Sequence, residues 1–123
     1  GFVNRSLGEV AMDHYRMPYL LEEDRAPILQ WPREVPIEGN PKSTFKTMRK
    51  IEKFMGRTTH PVLLLYVSPG VITPPSSIPW YIEKIKNIET SYVGQGLHFI
   101  QEDQPEAIGR EIADWMRRNI RRK

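Results

Sequence analysis

Val62-Leu63-Leu64-Leu65-Tyr66-Val67 decides the fold. Six apolar residues run without alternation, with Pro61 before them and Pro69-Gly70 after them. A strand with one wet face alternates in polarity. A short run that is apolar throughout reads as a strand covered on both faces, as in a parallel sheet. Downstream, Pro74-Pro75-Ser76-Ser77 is a loop, and Pro79 suits the first turn of a helix reaching about Lys86. Ile88 to Val93 makes a second short strand, and Gly94 and Gly96 read as a loop around Gln95. Asp103-Gln104-Pro105-Glu106 has capping-box spacing with a proline in the first turn. Ile108, Ile112, Trp115, Met116 and Ile120 then share one helical face.

Upstream of the first strand, Phe45, Met48, Ile51 and Met55 repeat at helical spacing. Ser43 is the expected N-cap of that helix and Gly56 follows its end. Residues 23–42 contain Pro27, Pro32, Pro36, Gly39 and Pro41, which are expected to break any regular element. Ile28, Leu29, Trp31, Val35 and Ile37 make this an ordered loop pressed against a surface, not a free linker. Residues 1–22 read as a short helix, with Ser6 and Glu9 at capping-box spacing and Pro18 limiting it.

Strands alternating with helices give an α/β class with a parallel sheet. Two strands are too few for such a sheet, because each expects neighbours on both sides. The expectation is one end of a larger sheet.

The charged fraction is 27% and the hydrophobic fraction 39%, a globular and not a disordered balance. Without cysteine, disulfides, thiolate zinc sites and cysteine nucleophiles are excluded. No apolar run approaches the ~20 residues of a membrane span, and no signal-peptide pattern opens the chain. No membrane partner and a cytoplasmic location are expected. The basic cluster Arg117, Arg118, Arg121, Arg122 and Lys123 reads as a solvated helix end whose cations suit the helix dipole, not as a nucleic-acid site. No metal or nucleotide motif is present.

In open α/β sheets, ligands sit outside the carboxyl ends of the strands. Ser68-Pro69-Gly70-Val71-Ile72 and Gly94-Gln95-Gly96-Leu97-His98-Phe99 occupy such positions. Imidazole titrates near neutral pH, so a histidine there suits general acid–base work. His14 and His60 read as ordinary surface or core residues. His98 is the candidate.

Gly96-Leu97-His98-Phe99-Ile100-Gln101-Glu102-Asp103, with Pro105 and Ile108-Gly109, resembles the motif around the catalytic histidine of haloalkane dehalogenases. Met12-Asp13-His14-Tyr15-Arg16 with Pro18 resembles the end of that family's helical cap. Trp31-Pro32-Arg33-Glu34-Val35-Pro36-Ile37 resembles the return to the main domain. Pro69-Gly70-Val71 with Pro74-Pro75 resembles the loop after the penultimate strand. The blocks come in the family's order and cover nearly the whole chain. Coelenterazine luciferases share this fold and much of the same pattern.

The resemblance implies the C-terminal part of an α/β-hydrolase parallel sheet with flanking helices, plus the end of a helical cap. Residues 1–38 would be the cap end and return loop, and residues 39–123 the core part. It implies an aspartate that displaces halide to form an alkyl-enzyme ester, and a histidine, His98 here, that activates water against it. It implies Trp31, Pro32, Val35, Val71, Ile72, Leu97 and Phe99 as substrate-binding walls, a halogenated aliphatic substrate, and neither metal nor cofactor. None of Asp13, Asp24, Asp103 and Asp114 has the strand–turn–helix elbow a nucleophile needs. Ser68-Pro69-Gly70 carries no acid where some dehalogenases place it. Nucleophile and acid are therefore expected outside these residues, in a missing N-terminal part of the same protein or another copy. The alternatives are a non-catalytic fragment and part of a luciferase-type monooxygenase.

Overall fold

The computed structural model describes residues 2–120; Arg121, Arg122 and Lys123 of the basic cluster lie outside the described residues. The chain divides into two units, residues 7–55 and residues 2–6 with 56–120.

The second of these units holds the sheet. Strand β1 (Val62–Pro69) pairs in parallel with β2 (Ile88–Gly96), from Val62 opposite Ile88 to Pro69 opposite Gly96. Helix α4 (Ile78–Lys84) crosses between them, with Pro79 in its first turn as expected. A single helical turn, α5 (Ile100–Asp103), follows β2 and leads into α6 (Pro105–Asn119). α6 packs on both strands and α4 on β2. Val67, Ile78, Ile85 and Val93 form the buried core. Burial of each such side chain stabilises by roughly 1.5–3 kcal/mol.

Both strands were expected to be covered on both faces. In β1 only Val67 is buried, Pro69 is exposed and the rest are half-buried. The physical reason is strand number: in a two-stranded sheet each strand has one open edge. The apolar face of the helix over residues 42–55 is likewise uncovered, with Phe45, Met48, Ile51 and Phe54 all exposed. Among the described residues, no helix is long and apolar enough to cross a membrane.

β2 runs three residues further than the sequence suggests, through Gly94-Gln95-Gly96. Tyr66 pairs with Tyr92 but Ser68 pairs with Gln95, so two residues of β2 face Val67 alone. This is a β-bulge. Gly94 sits in it at φ +123°, a conformation L side chains rarely adopt. A Cβ there would lie 2.8 Å from the Gln104 side chain, whose amide donates to the Gln95 carbonyl at 2.7 Å. The glycines that suggested a loop are the residues that let the strand bulge.

In the other unit, α1 (Gly8–Arg16) ends before Pro18, and α3 (Lys42–Met55) ends before Gly56 as expected. Between them the structure corrects the sequence reading. Residues 26–33 are a helix, α2 (Ala26–Arg33), despite two prolines. Pro27 lies in the first turn, where no N–H partner is lost, and Pro32 in the last, where one bond is forfeited at most. Thr44 donates to Glu34 at 2.8 Å and Gln30 donates to the same carboxylate at 2.5 Å, joining the end of α2 to the start of α3.

Local capping expectations also fail. Leu7, not Ser6, stands at the N-cap of α1, and α3 begins before Ser43. Gln104 stands at the N-cap of α6 and its side chain makes no capping bond, so the Asp103 capping box is not formed. At the other end of α6, Arg118 and Asn119 donate to the Glu89 carboxylate at 2.8 and 2.7 Å. Arg117 pairs with Asp114. The cations of this helix end that are described thus have partners within the fold.

Two outcomes follow from these contacts. The bond from Arg118, then that from Asn119, holds the Glu89 carboxyl below its ordinary value of 4.5. A lowered folded-state value means stability that is complete above the unfolded value and lost as pH falls through the folded one. Glu89→Gln should therefore lower the thermal midpoint at pH 7, and the deficit should shrink as pH falls below 4.5. A deficit that persists unchanged at pH 3 would show that the charge does not matter. Gly94→Ala should destabilise by roughly 1–3 kcal/mol in urea unfolding, through backbone strain and displacement of Gln104. An unchanged midpoint would contradict the bulge geometry.

Candidate active site

The parallel pairing brings the carboxyl ends of β1 and β2 side by side, and it continues past both strands. The Gly70 N–H donates to the Gly96 carbonyl at 3.2 Å, and the Val71 N–H to the Leu97 carbonyl at 2.9 Å. Gly70 makes this possible: at φ +61°, a Cβ would lie 2.8 Å from the Thr73 carbonyl oxygen and 2.9 Å from that of Val67. Only glycine lets the chain turn so tightly there. The result is a continuous ladder that delivers His98 onto a bend one residue beyond its last bond.

His98 is exposed, and its backbone N–H donates to the Phe2 carbonyl at 3.0 Å. The Phe99 N–H donates to the same oxygen at 3.2 Å. The imidazole lies edge-on between two rings, Phe99 at 4.7 Å and Phe2 at 5.6 Å between centroids. No carboxylate among the described residues hydrogen-bonds to it.

A small cavity of about 100 Å³ opens beside His98. Leu65, Tyr66 and Val67 of β1 line it, with Gly70, Ile72, Thr73, Leu97 and Ile100. Of the residues expected from sequence, Ile72, Leu97 and His98 come together here. Val71 and Phe99 flank the cavity lining in sequence without belonging to it, and both are exposed. Trp31 and Pro32 lie in the last turn of α2 and Val35 just after it, in the other unit. All three are exposed, Trp31 at 81%. Among the described residues, no group of histidine and carboxylate side chains could hold a metal ion.

Sequence reasoning missed Phe2, Tyr66 and Thr73. Tyr66 was assigned only to a strand, although its position near the carboxyl end of β1 points to the cavity. Phe2 gave no signal, because its contact with His98 joins opposite ends of the chain.

No protein-family model matches the chain. Curated proteins do. A haloalkane dehalogenase of Bradyrhizobium diazoefficiens is 33% identical over 116 residues, covering 94% of this chain and 37% of that protein. One of Mesorhizobium japonicum is 35% identical over 114 residues, covering 93% and 37%. The crystal structure of haloalkane dehalogenase DbeA from Bradyrhizobium elkani matches at 36% identity with a TM-score of 0.91, covering 94% of this chain and 40% of that one. The chain thus spans about 37% of the length of the curated relatives it matches. By sequence and by fold, it is similar to part of the haloalkane dehalogenases and shares their α/β-hydrolase fold.

Proposed function

We propose that this chain supplies the general base, His98, and part of the substrate pocket for hydrolytic dehalogenation of haloalkanes. The observation that carries the reading is the position of His98. It stands on the bend at the carboxyl end of β2 and lines a small cavity with Ile72 and Leu97. That is where open α/β sheets bind ligands.

In this reaction a carboxylate oxygen attacks the halogen-bearing carbon. The C–O bond forms as the carbon–halogen bond breaks, and halide leaves with the bonding electrons. His98 then takes a proton from water as the water oxygen attacks the ester carbonyl. The acyl–oxygen bond breaks, the alcohol leaves protonated, and the carboxylate is restored. Haloalkane and water become alcohol, halide and a proton.

The nucleophile belongs to polypeptide outside these residues. Asp13 pairs with Arg16 within α1, and Asp114 with Arg117 within α6. Asp24 lies in a single helical turn. Asp103 accepts two backbone N–H groups at the end of α5. None stands in a strand–turn–helix elbow. The acid that orients His98 is assigned outside as well, since Ser68-Pro69-Gly70 carries none. Trp31, Pro32 and Val35 are assigned to the cap side of the pocket, and Val71, Ile72, Leu97 and Phe99 to the strand-end side. Residues 1–38 are the cap end and return loop, and 39–123 the core part.

The open strand edges and exposed helix faces support a partner that completes the sheet, either the remainder of the same protein or another copy. The dehalogenase names of the relatives support the hydrolase over the monooxygenase alternative.

Replacing the base should stop ester hydrolysis but leave alkylation possible. In the full-length protein, His98→Phe is expected to trap a covalent alkyl adduct with a haloalkane, visible by intact mass spectrometry. A variant that turns over at the parental rate would remove His98 from the mechanism.

A further inference from the structure

The bend that carries His98 is held by a segment from the other end of the chain. The Phe2 carbonyl accepts two consecutive N–H groups, from His98 and Phe99, so it fixes the backbone where the imidazole begins. The Phe2 ring stands edge-on to the imidazole. What holds Phe2 in turn is acidic. The Asp103 carboxylate accepts the Asn4 N–H at 2.9 and 3.0 Å and the Arg5 N–H at 3.0 Å. The Arg5 guanidinium donates to the Glu102 carbonyl and, at 3.1 Å, to the Glu102 carboxylate. The bend at 98–103 therefore grips residues 4 and 5 through Asp103 and Glu102, and residue 2 grips the bend at His98. The contacts close a ring.

The ordinary role for Asp103 would be a cap for α6. The bonds exclude it: both carboxylate oxygens are turned to Asn4 and Arg5, and the N-cap of α6 is Gln104. Glu102 and Asp103 sit just after His98 in sequence, and their bonds to Asn4 and Arg5 tie down the segment that holds its bend.

We propose that Asp103 is a positioning residue for His98, acting through the Phe2–Arg5 segment to fix the orientation of the imidazole toward the water it activates. This rests on the reading of His98 as the base. Alkylation does not use the base, whereas ester hydrolysis does, so loosening the ring should affect the second step alone. Small misplacements of catalytic groups are costly, about 100-fold for an ångström.

The experiment is rapid-quench kinetics on the full-length protein, measuring ester formation and ester hydrolysis separately across pH. Asp103→Ala should slow hydrolysis by ~10–100-fold while alkylation stays within about twofold, so that the adduct accumulates. Asp103→Asn keeps one oxygen able to accept both N–H groups, and its hydrolysis rate should fall between Ala and parent. If the alanine variant does not fold, the asparagine variant carries the test by the same criterion. A parent protein that neither forms ester nor releases halide overturns the reading of His98, and this inference with it. A competent parent whose Asp103 variants lose both steps equally, or neither, overturns the inference alone.

Discussion

The parallel pairing of β1 with β2 is the constraint on which the candidate site depends. It sets the two carboxyl ends at one level, and its last two bonds, from Gly70 and Val71, hold the chain as far as Leu97. His98 follows immediately. The bulge at Gly94 adds a residue to β2 and brings Gly96 opposite Pro69. Gly96 is buried with a virtual Cβ 3.3 Å from Val67, so a small residue is needed where the strands approach. Shifting this register by one would move His98 away from the cavity beside Tyr66 and Ile72.

The second constraint is long-range. A bend beyond the last ladder bond would be free to move if only its own chain held it. Here three anchors act on it: Phe2 through its carbonyl, Gln104 through its bond to the Gln95 carbonyl, and Asp103 through residues 4 and 5. Phe2 is exposed and Asp103 and Gln104 are half-buried, and each hydrogen bond is modest in net energy. Their effect is geometric. Together they confine the segment that carries His98.

How far the sequence could be read follows from the range of the interactions. β1 was legible because six consecutive apolar residues admit few alternatives, and α6 because its apolar residues recur at helical spacing. The site's location at the strand ends was legible from topology, and the local motif singled out His98. Helix Ala26–Arg33 was not, because proline was read as a breaker without weighing its place in the turn. The strand character of Gly94–Gly96 was hidden because a bulge glycine and a loop glycine look alike in sequence. Asp103 resembled a cap by local spacing, while its partners at residues 4 and 5 are beyond any local pattern. Phe2 was missed for the same reason.

The central claim is that these residues hold a base and part of a pocket, with the nucleophile supplied by other polypeptide. The most direct measurement is halide release from a dibromoalkane by the isolated 123-residue chain, with size-exclusion elution recorded alongside. The account predicts no release above the buffer rate, and self-association through the open strand edge. A monodisperse monomer releasing halide at a steady rate would contradict it.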